Sequence, residues 1–262
     1  MSTSTATKPW QRVGMRSIGG TTSLQMEPPP LPPDVCPTCR GAGYMVADVP
    51  YGHPRFAELI ACACKQTEQQ QRRQGRLEQL SNLAEVRSLT FDAFNPDVPG
   101  VRKAYLRARE FAQQPQGWLL LFGSYGAGKT HLAAAVANAV LARGTQVLFT
   151  VVPDLLDHLR ATYGPTSEVG YDEHFEVVRT VPLLVLDDLG TESATAWARE
   201  KLYQIVNHRY NLALPTIITS NRALEHLDQR IVSRMHQHAF AGEILRIAAT
   251  DYRRAGRDER PA

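Results

Sequence analysis

A chain of 262 residues can hold one α/β domain of roughly 160 to 180 residues and a smaller module. With 43% hydrophobic and 21% charged residues it has an ordinary globular composition, and a formal charge of +3 neither requires nor excludes nucleic acid. The first 25 residues lack the apolar core of a secretory signal, and the longest apolar stretch, 132–142, is too short to span a bilayer. We therefore expect a cytoplasmic protein without a membrane partner.

The chain begins with a polar segment, residues 1–35, that ends in the run PPPLPPD. Such a segment favours a stiff polyproline-type conformation and cannot build a core. We predict that residues 1–35 and 255–262 are disordered tails.

The chain's 4 cysteines form two close pairs, Cys36, Cys39, Cys62 and Cys64. In a cytosolic chain such pairs indicate a metal more than disulfides, and four thiolates make a structural zinc site. Gly41 and Gly43 permit a tight turn that directs N–H groups at sulfur, and the second pair is expected on an extended segment. The alternative is reduced or redox-active cysteines without metal. A zinc module over 36–65 is favoured because so small a segment, with few large apolar side chains, needs an ion to fold.

Residues 66–89 form a polar stretch in which Leu77, Leu80 and Leu83 recur at helical spacing. This pattern predicts a mostly solvated linker helix, broken near Gly75.

From Thr90 the sequence alternates between apolar runs and helical patterns. Five runs read as buried strands: 118–122, 146–152, 181–186, 216–219 and 243–248. The helical stretches between them are 129–143, 154–163, 171–180 and 198–212. The alternation predicts, over 90–254, a parallel sheet flanked by helices, with ligands beyond the carboxyl ends of its strands.

Residues 123–130, GSYGAGKT, lie between a predicted strand and helix and fit a loop that wraps the phosphates of a nucleoside triphosphate. Glycines let backbone N–H groups converge on phosphate, and the helix adds its positive dipole end. Lys129 supplies charge for the outer phosphates and Thr130 a magnesium ligand. The predicted nucleotide-binding residues are Gly123, Ser124, Tyr125, Gly126, Ala127, Gly128, Lys129, Thr130, His131 and Asp187. A glycine-rich turn before a helix is the alternative.

Two further predicted strands end in polar residues. The first ends in Asp187 and Asp188, and we assign Asp187 to Mg²⁺ and Asp188 to the attacking water. The other ends in Thr219, Ser220 and Asn221, and Asn221 is suited to hold that water opposite Asp188. Turn formation alone is the alternative in both places.

Arg230 and Arg234 are four residues apart and share one face of a short predicted helix. They are either solvated, or paired with Asp228 and Glu225, or offered to the γ-phosphate held by a neighbouring subunit.

Together GSYGAGKT, LLVLDDLG, IITSN and RIVSR resemble the AAA+ ATPases of the DnaC/DnaI helicase-loader group, over roughly residues 88–254. This group includes the ATP-binding helper of certain insertion-sequence transposons. The resemblance implies that Asn221 is the first sensor, that Arg234 is the arginine finger with Arg230 beside it, and that Arg253 is the second sensor. It also implies a lead-in at 90–94 that packs near adenine, and no full helical lid. Many AAA+ proteins have glutamate where this chain has Asp188, so slow hydrolysis is expected.

The first cysteine pair resembles the zinc knuckle of the DnaJ cysteine-rich domain. A zinc module ahead of the ATPase resembles the DnaI-like loaders, which implies an ATP-dependent loader that places the hexameric replicative helicase on single-stranded DNA. Residues 36–65 are then expected to bind the helicase, and the ATP state to self-associate. The alternatives are a transposition helper that directs a transposase to target DNA, a small-molecule kinase, and a zinc interaction module with an inactive nucleotide site.

Overall fold

The computed structural model describes residues 32, 35–162, 171–192, 195–249 and 252. Apart from Pro32 and Val35, both predicted tails lie outside the described residues, as does Arg253. The chain divides into two compact units between Gln66 and Thr67. Within the described residues, no helix combines the length and apolar character needed to cross a bilayer.

The first unit is built on a two-stranded antiparallel hairpin that the sequence did not predict. Strand β1 is Tyr44–Val46 and β2 is Leu59–Ala61. Helix α1, Ala63–Leu80, begins directly after it. The segment between the strands exposes large apolar side chains: Tyr51 is 91% exposed and Phe56 is 50% exposed. The rings of these two residues meet edge to face at 5.3 Å.

The second unit alternates helices and strands. The elements that follow α1 are α2 (Arg102–Gln113), β3 (Trp118–Gly123), α3 (Lys129–Leu141), β4 (Val147–Val151), α4 (Val152–Ala161), α5 (Tyr171–Thr180), β5 (Leu183–Asp187), α6 (Ala196–Asn211), β6 (Thr216–Ser220), α7 (Gln229–His238) and β7 (Ala239–Ile247). Its five strands are all parallel, in the order β4-β5-β6-β3-β7. The predicted α/β fold, a parallel sheet flanked by helices, is confirmed. The last strand begins four residues before the predicted run, and α2 was not predicted.

The central strands are buried on both faces, which explains their continuous apolar runs. Successive residues of β3 face opposite sides: Trp118 and Leu120 belong to one apolar cluster, and Leu119 and Leu121 to the other. The first cluster includes residues of α4 to α7, and the second includes residues of α2 and α3. Two apolar layers therefore hold helices on both faces of the sheet.

The structure has the predicted helix, and only Leu77 and Leu80 of α1 are buried, but the predicted break near Gly75 is wrong. Helix α1 runs through Gly75 without interruption and ends at Leu80. Leu77 and Leu80 are 3% and 4% exposed and belong to the first apolar cluster. Their helical spacing therefore marks the face of α1 that packs into the core of the α/β unit, because burying apolar side chains is favourable.

The residues that follow α1 cover one edge of the sheet. The amide of Asn82 donates to the carbonyl of Phe149 at 2.8 Å, and its side chain accepts from the amide of Val151 at 3.3 Å. Since β4 is the outermost strand on this side, these bonds satisfy backbone groups that would otherwise be open to pairing with another chain.

Candidate nucleotide-binding site and cysteine cluster

The loop 123–130 connects β3 to α3, as the sequence predicted. Gly126 and Gly128 adopt φ values of +77° and +92°, in the left-handed region that side chains disfavour. A Cβ at Gly128 would lie 3.2 Å from the Phe94 ring, so a side chain there would require that ring to shift. Gly128 caps α3, and the free N–H groups of the first turn form an anion-binding end.

Lys129 is buried beneath this loop, with 4% of its surface exposed. Its Nζ donates to the carbonyls of Gly123 and Ser124 at 3.1 and 2.7 Å, and to Oδ1 of Asn221 at 2.5 Å. The ammonium therefore joins the loop to the end of β6 and places a positive charge at the carboxyl edge of the sheet.

Thr130 and Asp187 form a pair of oxygen ligands at the same edge. The Thr130 hydroxyl lies 3.1 and 3.0 Å from the two carboxylate oxygens of Asp187, and the Thr219 hydroxyl donates to Oδ1 at 2.6 Å. Burial raises the pKa of Asp187 and the charge of Asp188 adds to this, whereas the Thr219 hydrogen bond lowers it. A hydroxyl and a carboxylate side by side fit the hard oxygen ligation that Mg²⁺ requires.

The side chains of Asp188 and Asn221 are hydrogen-bonded to each other. The Asn221 amide donates to Oδ1 of Asp188 at 2.8 Å, while the Asp188 backbone N–H donates to the Thr219 hydroxyl at 2.9 Å. Asp188 has a φ of +57°, a conformation that aspartate tolerates better than most residues. Because β5 and β6 are paired, Asp188 and Asn221 lie side by side at the ends of these strands. Hydrogen bonds therefore connect Lys129 to Asn221 and Asn221 to Asp188.

The predicted lead-in packs against the loop through aromatic rings. Phe94 stacks on Tyr252 with centroids 4.4 Å apart and meets His131 edge to face at 5.0 Å. The ring of His131 bonds to the carbonyl of Thr90 at 2.9 Å, and burial lowers its pKa. His131 therefore contacts the lead-in, and its assignment to the nucleotide stays a prediction.

Arg230 and Arg234 both lie on α7. Arg230 is paired with Asp228 at 2.8 Å and with Glu200 at 3.6 Å. Arg234 donates to Asn207 and to the Tyr203 hydroxyl, both on α6, at 2.9 Å each. Within the described residues, neither arginine contacts the loop of its own chain.

The model of the IstB-like ATP binding protein family matches residues 53–248, about three quarters of the chain. The chain belongs to this family. The match includes the phosphate loop, both aspartates, Asn221 and the two arginines of α7.

Curated relatives confirm the resemblance to the helicase-loader group. The replicative helicase loader DnaC of Escherichia coli (strain K12) is 29% identical over 153 residues, 56% of this chain and 62% of that protein. The replicative helicase loader DnaI of Bacillus subtilis (strain 168) is 27% identical over 187 residues, 68% of this chain and 59% of that protein. The chain spans about six tenths of the length of these relatives.

Solved structures agree with the fold of this family member. The crystal structure of the DnaC helicase loader superposes with a TM-score of 0.53 at 30% identity, and covers 62% of this chain and 98% of that one. A structure titled replication initiator DnaA bound to AMPPCP and single-stranded DNA gives a TM-score of 0.51 at 25% identity, and covers 61% of this chain and 50% of that one.

The four cysteine sulfurs of this IstB-like protein come together, all within 4.8 Å of one another. Cys36 lies 3.8 Å from Cys62, and Cys39 lies 3.4 Å from Cys64. Tetrahedral zinc with bonds of about 2.3 Å places its sulfurs roughly 3.8 Å apart, so the cluster fits zinc. Backbone N–H groups of Cys39 and Thr38 lower the pKa of Cys36 to about 6, whereas the hydrogen bond with Cys39 raises the pKa of Cys64.

The second cysteine pair is not on an extended segment. Cys62 directly follows β2, and Cys64 already lies in the first turn of α1. The change from strand to helix, and not side-chain alternation along a strand, brings these two sulfurs to the cluster.

Tyr252 is a site residue that the sequence did not identify. Its hydroxyl accepts from the amide of Asn95 at 2.6 Å, and its amide donates to the carbonyl of Gly126 at 2.9 Å. It therefore joins the lead-in to the phosphate loop. The only available signal was an aromatic residue beside the predicted second sensor, in the run DYRR.

Proposed function

We propose that this chain is an ATP-dependent loader that places a replicative DNA helicase on single-stranded DNA, and that it hydrolyses ATP slowly. The observation that carries the proposal is the chain of contacts Lys129–Asn221–Asp188 beside the Thr130–Asp187 pair, all at the carboxyl edge of the sheet. Ligands of open α/β sheets bind at this edge. The named relatives DnaC and DnaI, and the structure of DnaA with a nucleotide analogue and single-stranded DNA, support it.

In the proposed reaction each residue acts on one part of ATP. The loop amides and Lys129 bind the outer phosphates, and Thr130 with Asp187 would hold Mg²⁺, which supplies positive charge to the β- and γ-phosphates when bound. Asp188 orients the attacking water, and Asn221 orients Asp188. The carboxylate of Asp188 has a shorter reach than that of glutamate, which supports slow turnover.

The cysteine module, residues 36–65, is proposed to hold zinc and to bind the helicase. Its hairpin carries exposed apolar side chains: Tyr51 is 91% exposed, Leu59 67% and Val46 61%. Large apolar groups left in water on so small a unit favour a protein partner. In this proposal, the ATPase unit, residues 90–254, binds single-stranded DNA and self-associates in the ATP state.

A transposition helper that directs a transposase to target DNA is the second candidate. The IstB-like description of the matching family supports this candidate only through the resemblance, because the group that the sequence resembles includes the ATP-binding helper of certain insertion-sequence transposons. The two functions share the ATPase site, so only the captured partner separates them.

ATP turnover and partner capture by the full chain test the proposal. We expect hydrolysis that single-stranded DNA stimulates, and Lys129→Ala to abolish hydrolysis because the outer phosphates lose their positive charge. Immobilised wild-type protein should retain the host replicative helicase, and Tyr51→Ser with Phe56→Ser should lose it. Leu106→Ser is the matched control, because Leu106 is 55% exposed but lies on α2, outside the module.

Normal turnover by Lys129→Ala would contradict the assigned nucleotide site. Retention of a transposase in place of the helicase would favour the second candidate. Equal helicase binding by the hairpin variant and the wild type would remove the module from the interface.

A further inference from the structure

The two arginines of α7 differ in how their charge is compensated. Arg230 is paired with the carboxylates of Asp228 and Glu200. Arg234 makes no ion pair within the described part of the chain, and its three hydrogen bonds go to neutral oxygens, those of Asn207, Tyr203 and the Arg230 carbonyl. Its charge is therefore available to an anion from outside the chain.

The hydrogen bonds of Arg234 leave part of its guanidinium unused. Nε donates to Asn207 at 2.9 Å, Nη2 to the Tyr203 hydroxyl at 2.9 Å, and Nη1 to the Arg230 carbonyl at 3.0 Å. A guanidinium has five N–H groups, so one N–H on each terminal nitrogen remains. Two such groups in one plane match the oxygens of a phosphate.

Tyr203 contacts Arg234 in two ways. Its hydroxyl accepts a hydrogen bond, and its ring centroid lies 4.9 Å from the guanidinium carbon. Asn207 lies four residues along α6, on the same face as Tyr203. Together they restrict a long side chain that would otherwise sample many rotamers, so less ordering is needed when the arginine meets its target.

We propose that Tyr203 and Asn207 are positioning residues, which hold Arg234 so that its two remaining N–H groups bind the γ-phosphate of ATP held by a second copy of this chain. This inference rests on the proposed ATPase function. It also selects Arg234 over Arg230, because only Arg234 keeps an uncompensated charge.

Tyr203→Phe tests the hydroxyl alone, since the ring remains. We expect ATP affinity within about 2-fold of the wild type and kcat lowered by about 10- to 100-fold, the effect of a misplaced catalytic group. Tyr210→Phe is the matched control. It removes a hydroxyl that bonds to Gln237 and leaves the hydrogen bonds of Arg234 intact, so its kcat should not change.

A mixture of two inactive proteins separates positioning from a general structural role. Lys129→Ala keeps its arginine but lacks a working loop, and Arg234→Ala keeps its loop but lacks the arginine. Mixed together they should recover activity. Tyr203→Phe should abolish most of this recovery when it is placed in the Lys129→Ala protein, and should have no effect when it is placed in the Arg234→Ala protein.

If Tyr203→Phe reduced the recovered activity equally in the Lys129→Ala and Arg234→Ala proteins, its role would be structural and the proposal would be overturned. Recovery that Tyr203→Phe leaves unchanged in both proteins would also overturn it. Absence of recovery in the parental mixture, although the two proteins co-assemble, would overturn action between chains and this proposal with it. That result differs from failure of the proposed ATPase function, which would appear as no turnover by the wild-type protein or as normal turnover by Lys129→Ala alone.

Discussion

The Thr219 hydroxyl connects the two aspartates of the site, and replacing it tests how the site is held together. It donates to Oδ1 of Asp187 at 2.6 Å and accepts from the backbone N–H of Asp188 at 2.9 Å. Thr219 is fully buried, so water cannot replace these bonds. Thr219→Val keeps the shape of the side chain and removes both.

The expected loss of stability in Thr219→Val follows from the two hydrogen bonds that the variant lacks. A hydrogen bond to a charged group contributes about 1.5–3 kcal/mol, and a buried N–H left without an acceptor costs about 1–3 kcal/mol. Because the two effects overlap in one site, we expect the free energy of unfolding to fall by about 2–4 kcal/mol. Urea titration followed by tryptophan fluorescence measures it.

Thr150→Val is the matched control on a strand of the same sheet. Thr150 is also buried, but its hydroxyl reaches only the carbonyl of Val151 at 3.5 Å, the limit of a hydrogen bond. We expect this change to alter stability by less than about 1 kcal/mol. If Thr219→Val costs no more than Thr150→Val, the Thr219 hydroxyl does not organise the site.

The same variant should change the pH dependence of ATP hydrolysis. The Thr219 hydrogen bond lowers the pKa of Asp187 against the effect of burial, so its loss should raise that pKa. Asp187 must be ionised to bind Mg²⁺. The acid limb of the rate profile should therefore move to higher pH, and an unchanged acid limb would contradict the metal assignment.

Two other predictions concern regions outside the phosphate loop. Purified protein should contain about one zinc per chain, and Cys39→Ser should lose it and unfold the cysteine module without changing the unfolding of the ATPase unit. Metal analysis and circular dichroism measure this, and a folded hairpin in metal-free protein would contradict it. Leu80→Ala should lower the free energy of unfolding by about 2–5 kcal/mol, because it leaves a cavity in the core. Gln79→Ala, at an exposed neighbour, should change it by less than about 0.5 kcal/mol, and similar values for both would contradict docking of α1.

The sequence alone determined the features that depend on local pattern. The apolar runs that became β3 and β5 are continuous because both faces of a central parallel strand are covered by helices. The spacing from Gly123 to Thr130 predicted a phosphate-binding loop. Such a loop needs glycines with positive φ and a helix that begins directly after it, and both depend only on neighbouring residues. The spacing of Leu77 and Leu80 likewise identified a helix, but local pattern could not show what that helix packs against.

Only the tertiary structure decided which distant residues meet. Lys129 contacts Asn221 across 92 positions, and this contact exists because β3 and β6 are neighbours in the sheet. Tyr203 and Asn207 looked like ordinary helix residues until the packing of α6 against α7 brought them to Arg234. The periodicity of apolar residues indicates which side of a helix or strand is buried. Strand order and helix packing, in contrast, depend on the free energy of the whole core. For that reason the partners of a site residue cannot be read from its own segment.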